Sequence, residues 1–189
     1  MFAHMNEPAT LTRTSATSAG SQYPLIGAGI LLGMGFGGLA DGILLHQILG
    51  WHHLVCFNAH CVPASVAQFA LENTQDGYFH LWLWLVLMAG TLLLFRVLNR
   101  SRRTWPGTLL AGAMLAGSGV FNFLEGLLNH QILGIHHVLP GNPHQLLFDL
   151  LYLANGVLFA LVGAWLIRRP GTGFAKKNII RIQQNPTAG

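Results

Sequence analysis

The stretch DGILLHQILGWHH, residues 41–53, returns at an offset of 84 as EGLLNHQILGIHH, residues 125–137. From position 42 to 53 nine of the twelve residues are identical between the copies, and Asp41 is matched by Glu125. Each copy closes a long apolar run, and a second apolar run follows each. The chain therefore reads as two similar halves, each an apolar helix ending in histidines and then a second apolar helix. The second helices match more loosely, at an offset of 69. FHLWLWLVLMAGTLLLFRVLNR lies against FDLLYLANGVLFALVGAWLIRR, which sets His80 opposite Asp149.

Composition says what surrounds these helices. Of 189 residues 52% are hydrophobic and only 8% charged, where a soluble domain carries about 25% charged residues. Apolar runs over 24–49, 78–98, 108–133 and 146–167 each approach or exceed the roughly 20 residues that cross a bilayer core. They lack the polar face that a helix of a soluble protein needs. The expected fold class is all-α, a polytopic membrane four-helix bundle built from two parallel two-helix repeats, 24–100 and 105–169. A pseudo-twofold axis along the membrane normal relates such repeats. A Ser/Thr-rich segment, 1–23, reads as a mobile tail, and 170–189 as a basic tail.

The net charge of +4 invites a nucleic-acid reading, and its distribution answers it. Arg96, Arg100, Arg102 and Arg103 lie between the second and third runs; Arg168, Arg169, Lys176, Lys177 and Arg181 follow the fourth; Arg13 is near the start. The loops 50–77 and 134–145 contain no Lys or Arg. Positive residues gather on the cytoplasmic side, so both termini and the middle loop are expected there, with the histidine copies at the outer face. The expected partner is the lipid bilayer, together with a second copy of the chain or a membrane redox partner, and not nucleic acid. A signal peptide cleaved near Gly38 and Ala40 is the rival reading of the start. Its positive region is weak, and cleavage there would destroy the first motif copy.

An ionised carboxylate in hydrocarbon costs several kcal/mol unless compensated. At about 1.5 Å per residue Asp41 lies about 13 Å inward of Gly50, with Glu125 at the matching depth. With no Lys or Arg nearby in sequence, their available partners are histidines and a bound cation. At about 100° per residue His46 and His53 fall on nearly one face, and Asp41 and His52 share another, about 120° away. His130 with His137 and Glu125 with His136 repeat this. Asp76 and His80, four apart, can touch, and Asp149 begins its helix near His144. Gly50 and Gly134 allow early helix ends, with the doublets bent over the bundle mouth.

The candidate ligands are thus His46, His130, His52, His53, His136, His137, His80, Asp41, Glu125 and Asp149. His46 and His130 lie deeper; the doublets also suit plain solvated interface residues. Imidazole with carboxylate suits copper, iron or zinc, and bundle cores hold metal pairs with such residues on facing helices. Some of the acids are expected to orient ligating histidines instead of binding metal. Gln47 and Gln131 suit hydrogen bonds between helices. Gly29, Gly33, Gly37, Gly38, Gly42, Ala113 and Gly117 suit close helix packing, or alternatively room for a flat cofactor. Cys56 and Cys61 suit a disulfide in an oxidising compartment, or a soft metal together with His60.

The combination DGILLHQILGWHH, DGYFH, EGLLNHQILGIHH and FDLLY resembles a family of small bacterial four-span membrane proteins of unknown function. The resemblance covers about 27–169. It implies a four-helix protein of the bacterial inner membrane and carries no activity with it. The residues themselves point to a membrane protein binding one or two transition-metal ions near the outer leaflet, as a metal-dependent oxidoreductase or a metal-handling protein. The alternative is a haem-binding electron-transfer cytochrome with His46 and His130 as axial ligands. A proton path is a third class, set against by the near absence of ionisable residues in the cytoplasmic halves of the helices.

Overall fold

A computed structural model describes residues 21–100 and 104–169. The expected tails before residue 21 and from 170 onward, with Arg102 and Arg103, lie outside the described residues. The first helix, α1 (Tyr23–Asp41), carries Pro24 in its opening turn, where its missing N–H costs nothing. It runs without a break into a π-helical segment, Gly42–Ile48. The third helix, α3 (Gly107–Glu125), follows Pro106 and likewise passes into a π-helical segment, Gly126–Ile132. Between and after them stand α2 (Val66–Arg100) and α4 (Gln145–Arg168). The four continuous helices, of 26, 35, 26 and 24 residues, are each long and apolar enough to cross a membrane. Among the described residues there is no strand. The chain is all-α with four membrane-capable helices, as its hydropathy predicts.

One boundary is corrected. The second helix starts at Val66, twelve residues before the apolar run at 78. Its opening turns carry Gln68, Glu72, Gln75 and Asp76, so hydropathy does not mark them. A capping signal does: the Ser65 hydroxyl accepts the Gln68 N–H at 3.1 Å, and Gln68 Oε1 accepts the Ala64 N–H at 3.0 Å. Ser followed three residues later by Gln is a helix-start pattern.

The helices pack in the order α2–α1–α3–α4. Half of the apolar window of α1 is buried and a third of that of α3, against 11% for α2 and α4. The flanking pair presents Trp82, Trp84, Leu92 and Leu161 outward; such a surface suits lipid as solvent and would drive association in water. At the centre α1 and α3 meet backbone to backbone. A Cβ on Gly33 would fall on the Met114 carbonyl, and one on Gly117 on the Ile30 carbonyl. Gly29 faces Ala113 and Gly37 faces Ser118. The facing helix fills the space that a flat cofactor would need, so these small residues serve helix packing.

Beyond each π-helical segment the chain reverses at a glycine, Gly50 (φ 57°) and Gly134 (φ 58°), a conformation side-chain-bearing residues adopt at a cost. The Trp51 N–H then reaches back to the Leu45 carbonyl at 2.9 Å, and the Ile135 N–H to Asn129 at 3.1 Å. The histidine doublets are thereby folded back over the helix ends.

Candidate metal centre

The two π-helical segments decide which side chains meet. In an α-helix residues five apart point about 140° away from each other. In a π-helix the i→i+5 hydrogen bond stacks them on one side. Asp41 and His46 are five apart across the first segment, and Asp41 Oδ2 lies 3.4 Å from His46 Nε2. Glu125 and His130 are five apart across the second, and Glu125 Oε1 lies 3.2 Å from His130 Nε2. The expectation from α-helical angles separated these residues onto different faces; the wider turn corrects it. Asp41 does also come near His52, and Glu125 bonds His136 at 3.0 Å. The folded-back loops bring about those contacts, not a shared helical face.

Four imidazoles form one cluster. His52 and His136 stack nearly parallel, 4.7 Å between ring centroids. His46 lies 4.6 Å from His52 and 6.2 Å from His136; His130 lies 4.9 Å from His136 and 6.1 Å from His52. All four are buried. His52 and His136, from the doublets, thus occupy the middle, flanked by the deeper His46 and His130.

Each ring has its Nδ1 facing an acceptor. His46 Nδ1 donates to Asp76 Oδ1 at 2.9 Å, and His130 Nδ1 lies 3.5 Å from Asp149 Oδ1. His52 Nδ1 donates to the Val138 carbonyl at 2.9 Å, and His136 Nδ1 to the Leu54 carbonyl at 2.9 Å. A carbonyl only accepts, so in these two rings the N–H sits on Nδ1, and the neutral His52 ring turns a lone pair inward on Nε2. Burial, with His136 and His46 close by, pushes His52 from 6.5 down to about 2, so that ring is neutral. The Nε2 atoms of His46, His52 and His130 are buried with no hydrogen-bond partner, as are Asp41 Oδ1 and Glu125 Oε2. Donor atoms of Asp41, His46 and His52 all lie within 4.8 Å of one another, and so do those of His52, His130 and His136. Lone pairs gathered this closely in a buried place call for a shared proton or cation.

Around the cluster two aspartates play matching parts. Asp76 accepts His53 Nδ1 at 2.6 Å and the Leu54 N–H at 2.8 Å, besides His46. Asp149 accepts His137 Nδ1 at 2.6 Å and the Val138 N–H at 2.8 Å. Asp149 therefore matches Asp76, an offset of 73, and the alignment that set it opposite His80 is corrected by four residues. Four residues are about one helical turn, so the slip keeps the same face, and apolar membrane helices offer little to fix the register. His80 packs on Gly42 and Phe79 instead of joining the four rings. His53 and His137 sit behind the aspartates, with side chains 11% and 31% exposed. His144 is exposed and bonds Asn142 rather than Asp149. Gln47 bonds Asp76 at 3.3 Å.

Three contributors were not among the candidates. In sequence Asp76 stands out only as a neighbour of His80. Glu72, fully buried, lies 3.9 Å from His53 and accepts Gln68 at 2.9 Å. Tyr152 stacks obliquely on His130 at 5.2 Å, with its hydroxyl near the carboxylates of Asp41 and Glu125. An acid and an aromatic three residues on, Asp76/Phe79 and Asp149/Tyr152, is the sequence signal that finds Asp76 and Tyr152; none of this kind marks Glu72. Cys56 and Cys61 form a disulfide, which takes them out of any ligand set with His60.

No curated protein and no solved structure matches this chain. Over residues 28–170 it matches a family described as predicted membrane protein, DUF2243. That match takes in α1 from residue 28, the other three helices and every residue of the cluster. The chain belongs to the DUF2243 family of membrane proteins.

Proposed function

We propose that this protein binds one or two transition-metal ions in the His/carboxylate cluster, near the outer leaflet of a bacterial plasma membrane. It serves there as a redox metalloenzyme or in metal handling. One observation carries the reading: four buried imidazoles, three of them hydrogen-bonded at Nδ1 and the fourth with Nδ1 3.5 Å from Asp149, gather with two buried carboxylates. Histidines that ligate metals are held by such partners at the other ring nitrogen. The sequence has no Lys or Arg from residue 14 to 95 or from 104 to 167 to neutralise the acids. The donor set is nitrogen and oxygen, both cysteines being disulfide-bonded, which suits iron, zinc or copper(II) over soft-metal thiolate chemistry. The charge asymmetry of the loops supports the outward orientation with cytoplasmic termini.

The cytochrome reading fares less well. The rings of His52 and His136 lie against both His46 and His130, where a porphyrin between an axial pair would have to sit.

The test is elemental analysis of detergent-purified protein prepared without chelator. The expected result is at least one transition metal per chain, lost in a His46→Ala, His130→Ala double variant that still purifies as a folded helical protein. Wild-type protein that stays metal-free after incubation with iron, zinc and copper salts would sink the proposal.

A further inference from the structure

Resting on that metal reading, we infer that the centre holds two ions, one on Asp41, His46 and His52 and one on Glu125, His130 and His136. The second ion exchanges with the medium much faster than the first.

The distances argue for two. Ligand atoms about 2.0–2.2 Å from one tetrahedral ion are about 3.3–3.6 Å apart. His46 Nε2 and Asp41 Oδ2 are separated by 3.4 Å, and Glu125 Oε1 lies 3.2 Å from His130 Nε2 and 3.0 Å from His136 Nε2. The first two are close to the spacing of ligands around one cation, and the third is a hydrogen bond that puts His136 on the same carboxylate oxygen. The His46 and His130 contacts are not completed as hydrogen bonds. Each set offers two imidazole nitrogens and one carboxylate, leaving open positions for water or a small ligand. A single ion would leave one of the two buried acids without a cation, at a cost of several kcal/mol.

Burial separates the two ions. A cleft of about 280 Å³ at the histidine end of the molecule is lined by His136 and His137, with Cys56, Phe57, Pro140 and Gln145 around it. His137, at its wall, is the more exposed of the outer histidines. On the other side the extra opening turns of α2 lay Glu72 and Phe69 against His53, the Phe69 ring 6.3 Å away. The chain after Gly134 reaches α4 without such a lead-in, since α4 begins at Gln145. The ion on Glu125 therefore borders open space. Release of the ion on Asp41 requires α2 to open.

Zinc serves as the probe. Full-length protein in detergent, loaded with zinc and freed of excess, should contain two zinc per chain. A chromogenic chelator should then withdraw one quickly and the other on the order of 10-fold more slowly, because the slow ion waits on local opening. His46→Ala should abolish the slow phase and keep the fast one, and His130→Ala should do the reverse. One zinc per chain, or two leaving in a single phase, would overturn this inference while leaving the metal reading intact. No zinc, iron or copper bound at all would overturn both. The wild-type stoichiometry and time course decide even where a variant fails to fold.

Discussion

Asp76 holds two imidazoles and one backbone amide with its two oxygens; Asp149 holds one imidazole and one amide on the other side of the cluster, with His130 Nδ1 3.5 Å away. Asn at position 76 keeps the shape but replaces one accepting oxygen by a donor, which would face an N–H. Asp76→Asn should therefore weaken metal binding by about 10–100-fold, the usual penalty for losing such a support, in a chelator-competition titration. Unchanged affinity would reduce Asp76 to a packing role. A second prediction concerns His52, held neutral down to about pH 2 against an unfolded value of 6.5. Below 6.5 the unfolded chain takes up a proton that the folded chain refuses, so the metal-free protein should lose stability as pH falls through and below 6.5. Thermal melts of apo protein at pH 7.5, 6 and 5 read this, with His52→Asn flattening the dependence. At this scale the sequence named most of the cluster, because histidines and acids stand out in an apolar chain. It missed Glu72 and Asp76, which sit in polar turns that hydropathy assigns to a loop.

The element that shapes the centre is the π-helical segment. Gly42–Ile48 and Gly126–Ile132 look in sequence like the last turns of ordinary helices, and nothing in residue spacing distinguishes i→i+5 from i→i+4 bonding. This is why angles taken at about 100° per residue put Asp41 and His46 on different faces. Inserting one alanine after Leu44 sets Asp41 and His46 six apart, which should turn His46 by about 100° away from Asp41. Helicity and membrane insertion should survive by circular dichroism and fractionation, while bound metal falls at least by half. Retention of full metal content would mean that the wide turn is incidental. Where α1 crosses α3 the demand is steric: Gly33→Leu would place a side chain on the Met114 backbone. It should cost at least 1–3 kcal/mol, the usual range for overpacking, read as a lowered melting temperature in detergent.

For the whole molecule, hydropathy gave four membrane-capable helices because the bilayer sets a length and an apolar content that sequence reports directly. Register between the two halves was less legible, since lipid-facing residues carry no positional information and polar ones are few. Orientation rests on the charge difference between loops and is open to test. A single accessible cysteine at Ala64, which is exposed, should react with a membrane-impermeant maleimide in intact spheroplasts. Reaction only after lysis would invert the arrangement and put the cleft beside His137 in the cytoplasm.

The two carbonyl contacts at the centre are reciprocal: Val138, from the second half, fixes His52, and Leu54, from the first, fixes His136. Neither half orients its own middle ring. During biosynthesis the first two helices leave the ribosome before the last two exist, so for that interval His52 has no anchor. On the proposed metal reading, a stray ion met then finds His52 without its orienting carbonyl. On that reading, loading then waits until the whole chain has been inserted, and truncated products cannot hoard metal.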